Sequence, residues 1–127
     1  MDVLHVDDDC DIREITRLSL EMDSGFGIRS APSAEAALAM IADARPEVIL
    51  LDVMMPDVDG PAMFRSLQAR PEWADIPVIF MTAAAQKHMT EDLMEMGAIG
   101  VIGKPFDPMA LADELRSLIA RHSERAA

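Results

Sequence analysis

The chain has 127 residues, half of them hydrophobic, and a formal net charge of -12. That length suits one ordinary domain able to bury roughly two thirds of the surface its unfolded form exposes, so a core needs no metal or disulfide staple, and the acidic balance argues against nucleic acid or anionic lipid as a partner. No apolar run approaches the ~20 residues of a bilayer span, the single cysteine, Cys10, cannot form an internal disulfide, and no leader precedes the first strand-like segment, so the expectation is a cytoplasmic protein with one domain over residues 1–127.

Short apolar runs alternate with amphipathic segments along the chain. Val3 to Val6 is a strand candidate ending in Asp7. Residues 11–22 have helical period, with Ile12, Ile15, Leu18 and Met22 on one face, and Asp23, Ser24 and Gly25 end that helix. Cys10, just before it, is expected to be a small buried or half-buried residue. Gly27 to Ala31 is a weaker second strand. Ser33 is a good N-cap for a helix over 34–44 with Ala37, Leu38 and Ile41 inward, and Pro46 stops it. Val48 to Leu51 is the strongest strand signal and ends in Asp52; an uninterrupted apolar run suits a strand covered on both faces. Turn residues fill 55–60, and a helix near 61–69 turns Met63, Phe64 and Leu67 inward. Trp73 is expected to cover the sheet edge near Pro77. Val78 to Met81 is a fourth strand, ending in Thr82. Residues 86–96 are helical up to Gly97, Ile99 to Ile102 is a fifth strand just before Lys104, and the last helix runs near 107–121 with Leu111, Leu115, Leu118 and Ile119 as its stripe. His88 and His122 are expected on the surface, and His5 as a tolerated strand residue.

Strand and helix repeated five times imply an α/β fold: a doubly wound, five-stranded parallel sheet with five helices on its two faces. Such sheets bind ligands beyond the carboxyl ends of their strands. The polar residues fall there: Asp7 and Asp8 after strand one, Asp52 at the end of strand three, Thr82 at the end of strand four, and Lys104 after strand five. Two carboxylates about 4 Å apart repel by about 4 kcal/mol at an effective dielectric near 20, and Lys104 offsets only part of that for three of them. A hard cation such as Mg2+, which takes a few carboxylates and keeps several waters, removes the conflict. Asp52 is then a candidate nucleophile, with Lys104 and the metal stabilising charge on a phosphoryl group and Thr82 donating a hydrogen bond to it.

Four segments resemble the response-regulator receivers of two-component signalling: Val6-Asp7-Asp8-Asp9; Leu51-Asp52-Val53-Met54-Met55-Pro56-Asp57-Val58-Asp59-Gly60; Met81-Thr82-Ala83; and Gly103-Lys104-Pro105-Phe106. Each of these stands at the end of a predicted strand. The resemblance spans essentially the whole chain and implies strand order 2-1-3-4-5 as in flavodoxin. It implies phosphorylation of Asp52 by a sensor histidine kinase or a histidine phosphotransfer protein. It also implies Mg2+ held by Asp7, Asp8, Asp52 and the backbone carbonyl of Met54, contacts from Thr82 and Lys104 to the acyl phosphate, and a cis peptide before Pro105. Output would come from a protein–protein contact made by a stand-alone receiver, a monomer or weak dimer with no output domain, no nucleic-acid partner and no membrane insertion.

This chain departs from the family where an aromatic residue usually stands three before the lysine, because that position is Val101, preceded by Ile99 and Gly100. Switching is therefore expected to run through packing of the fourth helix, with Met89, Met94 and Met96 adapting. Met54 and Ala84, two residues past Asp52 and Thr82, cannot orient water strongly, so a phosphoryl group should persist for minutes or more. Other functions compete with this one. A small phosphatase with an aspartyl nucleophile generally has a second Asp where Met54 stands. A flavin or nucleotide module would want a Gly/Ser/Thr-rich loop where Asp7 to Asp9 stand. A DNA-binding regulator would need more chain after the last helix. A phosphorylation-independent interaction module would use the same acids as a salt-bridge cluster.

Overall fold

A computed structural model describes residues 1–126. Five strands, β1 (Asp2–Val6), β2 (Gly27–Ala31), β3 (Val48–Asp52), β4 (Val78–Thr82) and β5 (Gly100–Gly103), form one parallel sheet in the order β2-β1-β3-β4-β5. The helices are α1 (Cys10–Glu21), α2 (Ala34–Asp43), α3 (Gly60–Gln68), α4 (Thr90–Met96) and α5 (Leu111–Ala126), with a 3₁₀ turn over Ala84–Met89 before α4. The α/β class, the parallel sheet and its strand order match the sequence expectation.

Strand alternation builds two cores. Leu4, Val6, Ile49, Leu51 and Phe80 face α2, α3 and α4, where Ala37, Ile41, Phe64, Leu67 and Leu93 meet them. Val3, Leu50, Ile79, Met81 and Ile102 face α1 and α5, against Leu20, Leu111 and Leu115. All five residues of β3 and of β4 are buried, as expected of strands covered on both sides. The chain leaves β1 toward β2 on one side and returns to β3 on the other. The crevice between the ends of β1 and β3 is thus the place where crossovers diverge and a ligand can enter.

Several expectations change. On α1 the buried residues are Thr16, Ser19 and Leu20, while Ile15, Leu18 and Met22 are 43%, 50% and 63% exposed. Polar anchors set this rotation: Arg13 Nη1 donates to the Asp7 carbonyl at 2.7 Å, and the Ser19 hydroxyl donates to the Pro108 carbonyl. Cys10 is exposed, since it opens α1 directly after the N-cap Asp9, whose carboxylate accepts the Asp11 and Ile12 amides. The segment before α4 is 3₁₀ rather than α-helical, with Gln86 accepting the Ala83 N–H. Helix α5 begins at Leu111, later than expected, because the Asp107 carboxylate takes the Met109 amide in a turn first. Trp73 packs on the α2/α3 core, with the Arg70 guanidinium 4.6 Å from its ring centroid, and not at the sheet edge. His122 is half-buried; His88 is exposed and Ser33 caps α2, as expected.

Candidate functional site

Each candidate side chain is placed by a strand end. Asp7 directly follows β1 and is wholly buried. Its N–H reaches the Ala31 carbonyl at 3.1 Å, and its Oδ1 accepts the Asp9 N–H at 2.9 Å, which fixes both backbone and carboxylate. Asp8, next to it, is exposed. Asp52 is the last residue of β3 and only 3% exposed. Lys104 follows β5, held by its own N–H to the Thr82 carbonyl at 2.7 Å, and the Lys104-Pro105 peptide is cis. From there Nζ reaches Asp52 Oδ1 at 2.8 Å and Asp7 Oδ2 at 3.4 Å.

Carboxylate oxygens of Asp7, Asp8 and Asp52 lie within 4.8 Å of one another. Burial pushes the Asp52 carboxyl above the usual range; the Lys104 bond opposes this, and the charges of Asp7 and Asp8 add to it. Burial works against the Lys104 ammonium, but the Asp52 bond and the charges of Asp52 and Asp7 outweigh it and hold its pKa above the usual value. Three carboxylates facing one ammonium leave excess negative charge at a nearly buried spot, and Asp8 opens it to solvent. Such a donor set, all hard oxygens with open positions, fits Mg2+.

The geometry therefore joins Asp7, Asp8, Asp52 and Lys104 directly. Thr82, 1% exposed, ends the neighbouring strand one residue past Met81, the register partner of Asp52. Met54 follows in the β3–α3 loop with its side chain exposed. That loop is braced by the Gly60 N–H on the Val53 carbonyl at 3.0 Å, and Asp59 caps α3.

Three residues matter here that the sequence did not mark as part of the site. Arg13 ties the Asp7 carbonyl to α1. Gly60 lets α3 approach so closely that a Cβ there would lie 2.2 Å from the Asp52 carbonyl oxygen. His5, two residues before Asp7 on the same strand face, is buried with its Nε2 3.9 Å from Asp7 Oδ2. Gly60 closes the second of the resembling segments, and His5 had a readable signal in its period-two parity with Asp7; Arg13 had none.

An acid trio and a lysine gathered over the strand ends of a 2-1-3-4-5 sheet define a two-component signalling domain. The chain belongs to the response regulator receiver domain family, whose model matches residues 3–116. It is 36% identical over 119 residues to the phosphate regulon transcriptional regulatory protein PhoB of Pseudomonas aeruginosa, covering 94% of this chain and 52% of that one. It is 34% identical to the 14.6 kDa protein of the sodA1 3′ region of Leptolyngbya boryana, covering 87% of this chain and 84% of that protein. Among solved structures, the Vibrio cholerae chemotaxis protein CheY4 superposes with a TM-score of 0.82 at 29% identity, covering 92% of this chain and 97% of that one. The chain spans about half the length of most of the curated relatives it matches. Receiver domains are signalling switches rather than turnover enzymes. No helix among the described residues is long and apolar enough to cross a membrane.

Proposed function

We propose that this chain is a phospho-accepting switch whose acceptor is Asp52, supplied by the phosphohistidine of a sensor histidine kinase or histidine phosphotransfer protein. The observation that carries this is the 2.8 Å contact of Lys104 Nζ with Asp52 Oδ1 inside the carboxylate trio. Asp7, Asp8, Asp52 and the Met54 carbonyl would hold Mg2+, which offsets negative charge on the carboxylates and the incoming phosphoryl oxygens.

The chain's own residues do the rest. An Asp52 oxygen attacks phosphorus as the phosphorus–nitrogen bond breaks and the bond's electron pair returns to the donor nitrogen; a donor ring protonated on its other nitrogen leaves as neutral imidazole, and an unprotonated one becomes neutral imidazole by taking a proton from solvent. Lys104 exchanges part of its contact with Asp52 for one with a phosphoryl oxygen, and Thr82 donates its hydroxyl to another. Hydrolysis later cleaves the acyl phosphate, releasing inorganic phosphate and the free carboxylate. The exposed side chains of Met54 and Ala84 offer no polar group to orient that water. A protein donor is supported by the apolar rim: Ile15 and Leu18 on α1, Met54 and Val58 after β3, and Met109 after β5 are all exposed, and the loops that carry the last three lie on the site's side of the sheet. Output is a protein–protein contact.

Incubation with Mg2+ and acetyl phosphate, followed by intact mass, tests the acceptor. The expected result is one added phosphoryl, kept for minutes, in the parent chain and none in Asp52→Ala. Equal labelling of the variant, or loss within seconds in the parent, would count against the assignment of acceptor and lifetime respectively.

A further inference from the structure

We infer that His5 is a positioning residue for the divalent cation, donating its Nε2–H to Asp7 Oδ2 once the ion is bound. This rests on the cation site proposed above. His5 is wholly buried, on the strand face that carries Val3 and Asp7. Neither of its ring nitrogens has a hydrogen-bond partner, and the Thr16 hydroxyl on α1 is alone as well; among the described residues these are the buried side-chain polar atoms left unpaired. Buried polar groups are nearly always paired, so an orphaned imidazole points to a partner gained in another state. A valine at this strand position would fit the pleat and leave nothing unsatisfied.

The candidate partner is already in place. Asp7 Oδ2 lies between Lys104 Nζ at 3.4 Å and His5 Nε2 at 3.9 Å. The ammonium holds Asp52 more closely, at 2.8 Å. A divalent charge among the three carboxylates repels Lys104, and its longer contact, the one to Asp7, is the first to yield. Closing the His5 gap takes a movement of about 1 Å to reach ordinary hydrogen-bond length. Asp9 already holds the other Asp7 oxygen, so a bond from His5 would fix both oxygens of the ligand. An imidazole Nε2–H is a single donor, and one donor is what the second Asp7 oxygen lacks once Lys104 withdraws. Outer partners of metal ligands commonly contribute tenfold or more to affinity.

Three measurements on the full chain test this: Mg2+ affinity by isothermal titration calorimetry, the His5 ring signals by 15N–1H spectroscopy, and urea unfolding without the ion. The expected outcome is that His5→Val unfolds at the same or higher urea yet binds Mg2+ about tenfold more weakly, that His5→Gln, which keeps a donor, recovers part of the loss, and that Mg2+ shifts the wild-type Nε2–H. A purely structural histidine would change the unfolding midpoint and leave affinity and ring signals untouched, and that result overturns the role. Should His5→Val not fold, His5→Gln with wild-type signals that ignore Mg2+ overturns it equally. If the wild-type chain binds no Mg2+ at all, the cation site itself fails; if it binds normally and His5→Val binds as well, only the role of His5 fails.

Discussion

Replacing Asp52 with asparagine should stabilise the metal-free protein. In that state the Asp52 charge has one attraction and two repulsions. At an effective dielectric near 20, the Lys104 contact at 2.8 Å is worth about 6 kcal/mol, and each carboxylate neighbour at the 4.8 Å limit costs about 3.5 kcal/mol. The attraction and the repulsions nearly cancel, the exposed Asp8 being the weaker of the two repelling groups, and burial of the charge tips the sum against ionised Asp52. Asparagine keeps the volume and an acceptor for Lys104, so a gain of about 1–2 kcal/mol at neutral pH is expected. Because the folded-state pKa of Asp52 is raised, the folded chain binds that proton more tightly than the unfolded one. Stability from this group is then fully present below the ordinary carboxylate pKa and is lost as pH rises through the raised value, so the advantage of Asp52→Asn should be complete at neutrality and fade in acid. Mg2+ should reverse the ranking: at a hundred times its Kd it adds about 2.7 kcal/mol to the parent and less to the variant. Urea midpoints at neutral and acid pH, with and without MgCl2, provide the assay. A metal-free Asp52→Asn protein less stable than its parent by a kilocalorie or more at neutral pH would refute the charge balance derived for this site.

Gly60→Ala puts a Cβ 2.2 Å from the Asp52 carbonyl oxygen, backbone against backbone, so α3 or the end of β3 must shift; a loss of about 1–3 kcal/mol in urea unfolding and slower labelling by acetyl phosphate are expected, and unchanged values for both would mean the close approach is unimportant. Phosphorylation, or a phosphate mimic at Asp52, should move amide signals across residues 84–101 more than those of β1 and β2; no shift in the 3₁₀ turn and α4 would count against a route through that helix.

The fold was legible because its strongest signals are buried on both sides. β3 and β4 read as strands from uninterrupted apolar runs, and each residue of those strands is indeed buried. The site was legible for the same reason one step later: Asp7, Asp52, Thr82 and Lys104 are the first polar residues where an apolar run stops, and parallel strands bring such ends to one edge. Helix α1 misled because period alone ignores polar anchors. Ile15 and Leu18 form an apolar stripe, yet Arg13 and Ser19 find backbone carbonyls outside the helix, at Asp7 and Pro108, and turn that stripe outward. Contacts to another segment's carbonyl leave no pattern in sequence. The 3₁₀ geometry of residues 84–89 was hidden likewise, since alanine, glutamine and lysine favour a regular α-helix; the bond from the Ala83 N–H to the Gln86 side chain was unreadable.

Where the site can send a signal follows from what surrounds it. β1 and β3, which carry Asp7 and Asp52, are packed on both faces and cannot move without opening a core. On the β5 side a Cβ on Gly100 would lie 2.6 Å from a Leu118 methyl group, so β5 meets α5 closely at that point, while a cavity of about 330 Å³ lined by Thr90, Met94, Val101 and His122 leaves α4 room beside β5. Val101 is too small for the large inward swing of an aromatic ring. The segment after Thr82 is different: residues 84–89 include none that is buried, and α4 beyond them buries only Leu93. Elements with few buried contacts open at the lowest free energy. A hydrogen bond formed by Thr82 to a phosphoryl group would therefore be accommodated in the 3₁₀ turn and α4, where Met89 and Met96 lie partly buried against the core and can repack at small cost.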